Sequence, residues 1–344
     1  MIDYEKLNQD YKNDNFYSLQ LEVGDKCNQG CIYCYMNALK KEKNTLTGNQ
    51  IRSILEDSKK LGITAIEWLG GEPLLRSTIF SHMQYAKQLG LKNNIWTGGL
   101  PFRDDNIIKE SIKYADSGLI SVHVSSVDSI VYEKLHPGRD KKDLEIILSS
   151  IKKIIDLGYP AERMLNSVTF TGLQSSNDMI QTIDYFEEIF DIKTSLNVYH
   201  TYLRPEISND KLENFIPSKK EIIKVYKRYS KQYNTKQLPM NCVNKQYCSA
   251  TVAILCDGSV TPCATIREED SLNIHEDGTF YDIVNKKRDY LIFKKLKDEN
   301  NLPSDCKKCS LSDICWGCRS RAFGSGRGIY GKDPRCFRNY KIGR

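Results

Sequence analysis

Three cysteines, Cys27, Cys31 and Cys34, fall within eight residues of the stretch GDKCNQGCIYCYMN (24–37), and the aromatic Tyr33 directly precedes the last. Thiolates bind zinc and iron–sulfur clusters. A structural zinc site takes four protein ligands, commonly two plus two from separate turns. This loop supplies three; the next cysteine is Cys242 and the nearest histidine is His82. A [4Fe–4S] cluster is usually held by four cysteines. Held by three, it keeps one iron open, so the spacing C-x3-C-x2-C predicts a cluster whose fourth ligand is a substrate or a cofactor.

The other nine cysteines lie within 242–336. Cys242, Cys248 and Cys263 read C-x5-C-x14-C, and Cys306, Cys309, Cys315, Cys318 and Cys336 read C-x2-C-x5-C-x2-C-x17-C. Cys256 is left over and reads as a small buried hydrophobe. C-x2-C pairs are also a zinc-ribbon spacing, so zinc is the competing reading of this half.

Elements of regular period must position these loops. Ahead of Cys242 the short β-branched and aromatic runs FYSLQLEV, ITAIEWL, NNIWTGG, LISVHVSS, LNSVTFTG and TSLNVYH read as six strands, the first just before the cysteine loop. Amphipathic stretches such as GNQIRSILEDSKKLG, SHMQYAKQLG and KDLEIILSSIKKIIDLG, each closed by glycine, read as the helices between them. Alternation of this kind argues for an α/β fold with a parallel sheet, either doubly wound or a complete or partial barrel. The expected division is a barrel domain over 1–215, a linker helix within 216–240, and a small loop-rich domain over 241–344 that needs bound metal in place of a large core.

Composition excludes several classes. Fifty basic and 44 acidic side chains leave a net charge of +6, dispersed along the chain, which does not call for nucleic acid. No 18-residue apolar run occurs and the start, MIDYEKLNQDYKND, is polar, so neither a membrane span nor a signal peptide is expected. Twelve cysteines in the cytoplasmic protein this suggests point to metal or redox chemistry rather than disulfides.

With these residues in view, CNQGCIYC after the strand LQLEV resembles the signature of the radical S-adenosylmethionine (radical SAM) superfamily, and WLGGEPLL resembles that family's Gly-Gly-Glu-Pro loop. The resemblance implies a partial (β/α)6 barrel. It implies a cluster on Cys27, Cys31 and Cys34 whose open iron chelates S-adenosylmethionine, cleaved to a 5′-deoxyadenosyl radical. It also implies a cofactor site of Tyr33 against the adenine, Gly70 and Gly71 for close backbone approach, Glu72 and Pro73 at the ammonium, Thr97, and Ser126 with Asp128 near ribose or carboxylate. Two departures stand out: Gly98 replaces the usual Asn after Thr97, and Ser129 stands where Gly is usual.

CWGCRSRAFGSGRGIYGKDPRC resembles the close of a SPASM domain. By that resemblance Cys242, Cys248, Cys263 and Cys318 hold one auxiliary [4Fe–4S] cluster and Cys306, Cys309, Cys315 and Cys336 a second, three clusters in all. Full ligation suits an electron carrier, which implies a redox-type reaction (dehydrogenation, crosslinking or decarboxylation) of a peptide or protein side chain. An external electron donor such as flavodoxin or ferredoxin, and a separate peptide-recognition protein, are the implied partners. Ala264 stands where sulfatase-maturating relatives carry an Asp base. No residue is singled out as catalytic acid or base, although Trp96, His123, Thr169, Asn197, Tyr199 and His200 are expected near the barrel mouth. Oxidation of a small molecule (a sugar, tetrapyrrole or cofactor precursor) and a non-catalytic iron–sulfur carrier are the competing functions.

Overall fold

The computed structural model describes residues 2–38, 41–200, 214–235 and 237–338. The six expected strands form: β1 (Ser18–Glu22), β2 (Ala65–Leu69), β3 (Lys92–Thr97), β4 (Ile120–Val122), β5 (Met164–Phe170) and β6 (Lys193–Val198). They lie side by side in sequence order, every pair parallel. A doubly wound sheet would reverse its order at a switch point. This one does not, so the winding is that of a partial barrel.

Helix α1 (Tyr4–Lys12) precedes the sheet, and α2 (Gly48–Lys60), α3 (Ile79–Gln88), α4 (Asp105–Tyr114), α5 (Ser129–Leu135), α6 (Lys141–Asp156) and α7 (Ser176–Phe190) fill the crossovers. Gly62, Gly90 and Gly158, just beyond α2, α3 and α6, take φ between +75° and +90°, which stops each helix at little steric cost. One side of the sheet is apolar: Leu19, Leu21, Ile66, Trp68, Ile95 and Val122 pack against Ile51, Leu55, Met83, Ile147 and Ile151 of the helices. The expected connecting helix is α8 (Lys219–Gln232), which seats Ile222, Val225 and Tyr229 on β5, β6 and α7.

Burial alternates along the strands in a way that bears on function. On β3, Asn93, Ile95 and Thr97 are buried while Lys92, Asn94 and Trp96 are half-buried; on β5, Leu165, Ser167 and Thr169 are the half-buried set. On these two strands the helix-facing residues are thus sealed and the opposite face is half-buried, whereas β1, β2 and β4 are almost wholly buried on both faces. Complete (β/α)8 barrels fill that interior with bulky side chains; the inner, hollow face of this partial barrel carries Gln20, Glu67, Asn94, Ser167 and Thr169 among its residues.

The C-terminal segment is more regular than its cysteines and loop residues suggest. Helix α9 (Lys245–Ser249) leads into β7 (Thr251–Ile254), which runs parallel to β1, and β8 (Val260–Thr261) pairs antiparallel with β7. The sheet therefore has eight strands, in the order β6-β5-β4-β3-β2-β1-β7-β8. Helix α10 (Phe280–Leu291), opened by a reciprocal Thr279–Asp282 capping box, lies on α2, where the Tyr281 amide donates to Asp57. Among the described residues no helix is long and apolar enough to cross a membrane.

Candidate active site

The Cys27–Cys34 loop leaves the C-terminal end of β1 and meets the Gly-Gly-Glu-Pro loop that leaves β2. A Cβ on Gly70 would stand 2.6 Å from the Gly24 carbonyl oxygen, and one on Gly71 2.2 Å from that of Lys26. The two glycines therefore let this loop press against the cysteine loop, and the Gly71 and Glu72 amides donate to the Gly24 and Lys26 carbonyls at 2.9 and 2.8 Å. Glu72 is buried beneath them. It accepts from the Thr97 hydroxyl at 2.8 Å, the Gly98 amide at 2.7 Å and the Leu74 amide at 3.1 Å. Burial pushes its carboxyl up to about 7 against those three hydrogen bonds. Pro73 opens the short 3-10 turn after it.

Gly98 has a physical reason: a Cβ there would stand 3.0 Å from Gln29 Oε1. Gln29 lies inside the cysteine loop, donates its side-chain amide to Tyr132 and its backbone amide to the Cys27 sulfur at 3.3 Å. Ser126 and Asp128 form a tight turn in which Asp128 caps α5 by accepting from the Ile130 and Val131 amides, and Ser129 is the first residue of that helix.

Tyr33 is buried, with its hydroxyl 2.7 Å from His123 Nε2, 3.1 Å from Ser125 Oγ and 3.2 Å from His136 Nε2. His136 donates Nδ1–H to the Tyr132 carbonyl, which leaves its Nε2 an acceptor, and the His123 ring hydrogen-bonds to the Ser167 backbone. Burial holds His123 down to about 4 and His136 to about 3, so both rings are neutral near pH 7. Trp96, Thr169 and Asn197 line the hollow face, half-buried, whereas Tyr199 is buried against Phe215 and His200 places Nε2 3.3 Å from the Cys318 sulfur.

Two carboxylates on the hollow face escaped the sequence reading. Glu22, at the mouth end of β1, is fully buried and forms an ion pair with Arg267 Nη2 at 2.5 Å; it also accepts from the Cys256 amide and from Tyr35. Burial raises its carboxyl and the guanidinium offsets part of that rise. Glu67, at mid-strand, accepts from Ser18, Asn94, Trp96 and Tyr247. The alternating polar residues of SLQLE and the lone acid within AIEWL were the available signal, since strand residues two apart share a face.

The eight C-terminal cysteines collect in two groups. The charges of Cys242, Cys263 and Cys318 all act on Cys248, and Cys242 in turn feels Cys318 and Cys263. Cys306 feels Cys336, Cys315 and Cys309, and these four line one cavity with Trp316 and Asp333. Burial pushes the Cys27 and Cys242 thiols up to about 12 and that of Cys306 to about 11. Amide donors nonetheless point at sulfur: Met240 and Gly317 at Cys315 (3.3 and 3.2 Å), and the Asn241 side chain at Cys248 (3.3 Å). Thiols gathered in fours, partly or wholly buried and with N–H donors on sulfur, fit iron–sulfur ligation. Cys256 lies apart, buried beside Glu22 with its thiol held up at about 12. Between the two groups runs a buried ion pair, Arg321–Asp333, at 2.8 Å.

Comparison with known proteins agrees with this geometry. The family model of the radical SAM superfamily matches residues 21–186, and that of the SPASM iron–sulfur cluster-binding domain matches 242–310. The chain is 26% identical over 284 residues to a probable GTP 3′,8-cyclase of Methanococcus aeolicus, covering 77% of this chain and 90% of that protein. It is 26% identical over 167 residues to the GTP 3′,8-cyclase of Pasteurella multocida, about half of each chain (47% and 48%). Among solved structures, Streptococcus suis SuiB bound to S-adenosylmethionine superposes with a TM-score of 0.66 at 17% identity, covering 96% of this chain and 80% of SuiB. The enzyme anSMEcpe, with bound S-adenosylmethionine and a peptide, gives 0.68 at 17% identity and 93% of both chains. Its motifs, its hollow partial barrel and both family matches make the chain a member of the radical SAM superfamily with a C-terminal SPASM iron–sulfur domain.

Proposed function

We propose that this enzyme generates a 5′-deoxyadenosyl radical and oxidatively modifies a peptide or protein side chain, by dehydrogenation, crosslinking or decarboxylation. The observation that carries the reading is the gathering of eight cysteines into two groups of four. Four thiolates saturate a [4Fe–4S] cluster, so neither group leaves an iron for substrate, and both suit electron transfer out of a substrate radical. Cys27, Cys31 and Cys34 would hold the radical-generating cluster; Cys242, Cys248, Cys263 and Cys318 the first auxiliary cluster; Cys306, Cys309, Cys315 and Cys336 the second.

Bound S-adenosylmethionine supplies the radical. The chain's own contribution is position and exclusion of water. Glu72, already gathering three donors, accepts from the cofactor's ammonium group. Thr97 orients Glu72, and Gly70 and Gly71 let that loop close on the cysteine loop. Tyr33, with Ser126 and Asp128, lines the cofactor's other side. The hollow polar face below them takes the substrate. Peptide substrates accord with the fold neighbours, since SuiB has been solved with its precursor peptide SuiA and anSMEcpe with a peptide. The barrel domain ends near residue 215, and the auxiliary-cluster domain begins near 241 but lends β7 to the barrel's edge.

A second reading, action on a small molecule, is favoured by the sequence similarity to GTP 3′,8-cyclases. The described lining speaks against a triphosphate as polyanionic as that of GTP: Arg267, which reaches the hollow face, is already paired with Glu22, and Glu67 is a further acidic residue there. The two readings separate in one assay: 5′-deoxyadenosine formation by anaerobically reconstituted, reduced enzyme, challenged with peptide-sized extract, small-molecule extract, or GTP. Stimulation by the peptide fraction alone supports the proposal. Stimulation by small molecules or GTP alone overturns it. Silence throughout, without background cleavage, would leave an iron–sulfur electron carrier.

A further inference from the structure

We infer that Glu67, on the floor of the hollow barrel, anchors a cationic group of the substrate, with the Trp96 ring as the second wall of that subsite. This rests on the hollow face being the substrate chamber.

Glu67 is 2% exposed. Its Oε1 accepts from Ser18 Oγ at 2.9 Å, Asn94 Nδ2 at 2.7 Å and the Tyr247 hydroxyl at 2.7 Å; its Oε2 accepts from Trp96 Nε1 at 2.5 Å. Two of these partners, the indole and the amide nitrogen, can only donate, and the two hydroxyls can do so. Four donors can converge on the two carboxylate oxygens, and of these partners only the Ser18 and Tyr247 hydroxyls could accept instead. Among the described residues no Lys, Arg or His is ion-paired with it, in contrast to Glu22 at the mouth, which has Arg267. Neutral donors satisfy lone pairs but leave the charge, and an unpaired buried charge is costly.

The geometry says where the missing cation goes. Three donors fill Oε1, whereas Oε2 has one and keeps an open lone pair. The donor on Oε2 is the indole of Trp96, which is half-buried on the hollow face. A cation at Oε2 therefore meets the edge of the indole, and the Trp96 ring serves as an apolar wall for the alkyl stem that carries the charge. Register adds depth. Glu67 is level with Gln20 and Asn94, while Glu22 is level with Leu69 two residues nearer the mouth. Two residues of strand span about 6–7 Å, the reach of a lysine or arginine side chain. A substrate anchored at Glu67 by such an ammonium or guanidinium group keeps its proximal carbons at the mouth, beside the Cys27–Cys34 loop. The substrate class this selects is a peptide bearing Lys or Arg at the modified position or next to it.

The test is equilibrium dialysis of the reconstituted, oxidised holoenzyme against Nα-acetyl-lysine methylamide, Nα-acetyl-arginine methylamide, agmatine and the neutral isostere Nα-acetyl-norleucine methylamide. The wild type is expected to bind the cationic probes about tenfold or more tighter than the norleucine probe. Glu67→Gln should abolish that preference, and Trp96→Leu, which leaves the carboxylate, should weaken it without abolishing it. Equal binding of charged and neutral probes by the wild type overturns the inference regardless of how the variants fold, as does a preference that survives Glu67→Gln. A pure hydrogen-bond hub would change stability but confer no charge preference. Cation preference without any stimulation of 5′-deoxyadenosine formation by peptides would uphold the anchor and overturn the peptide reading.

Discussion

Replacing Glu72 by Gln tests the physics of the cofactor cradle without any cofactor present. In the folded chain burial holds the Glu72 carboxyl at about 7, against an ordinary value of 4.5. Between those two pH values the folded state binds the extra proton, so folding loses stability as pH rises from 4.5 through 7. The full gap is worth roughly 3 kcal/mol, of which about 2.5 kcal/mol falls between pH 5 and pH 8. Gln cannot titrate and escapes that loss. It incurs a separate, pH-independent cost, because its NH2 must face either the Gly98 amide or the Leu74 amide, each a donor, at about 1–3 kcal/mol. The variant should therefore be less stable than wild type at pH 5 and close to it at pH 8. Urea unfolding of cluster-free, reduced protein at several pH values across that range reads the difference directly. A gap between the two proteins that stays constant with pH, or widens toward pH 8, would refute the account of Glu72.

Cys248→Ser should lower iron content by up to about four atoms per chain, while Cys256→Ser should leave it unchanged, as measured by iron assay after reconstitution. Gly71→Ala sets a Cβ against the Lys26 carbonyl at 2.2 Å and must push the two loops apart; loss of S-adenosylmethionine binding by calorimetry, with the thermal midpoint falling by several degrees, is the expected pair of results. Arg267→Met strands Glu22 in the barrel wall and should cost about 3 kcal/mol in denaturant unfolding, most of it recovered in the double variant Glu22→Gln/Arg267→Met.

The barrel was legible because its strands and helices carry strong, separate periods: KDLEIILSSIKKIID repeats its apolar residues at helical spacing, and MLNSVTF at strand spacing. The three-cysteine loop was legible from ligand arithmetic. What stayed hidden lay in contacts distant in sequence. TVAI is a short, wholly buried run that shows no alternation, so nothing local announced β7 or its pairing with β1. Glu22 and Glu67 are placed on the hollow side by strand register, which no local motif announced. Gly98, an odd replacement in the sequence, makes sense only beside Gln29, which is 69 positions away. Cys256 could be set aside on spacing alone, and its separation from both cysteine groups agrees with that.

The β1–β7 pairing fixes an order of events during synthesis. Leu19 and Val252 are partners across more than two hundred residues. Until that second partner leaves the ribosome, β1 presents one edge of unpaired backbone amides and carbonyls, a template for stray strands. Contacts of such long range close slowly, and chains emerge at only some 5–20 residues per second. The nascent barrel thus spends on the order of ten seconds or more with its first strand half-paired, after the Cys27–Cys34 loop is already out and while most of the later cysteines are still to come. A chain cut short near residue 215 would keep that exposed edge permanently, and aggregation rather than a soluble barrel is its expected fate.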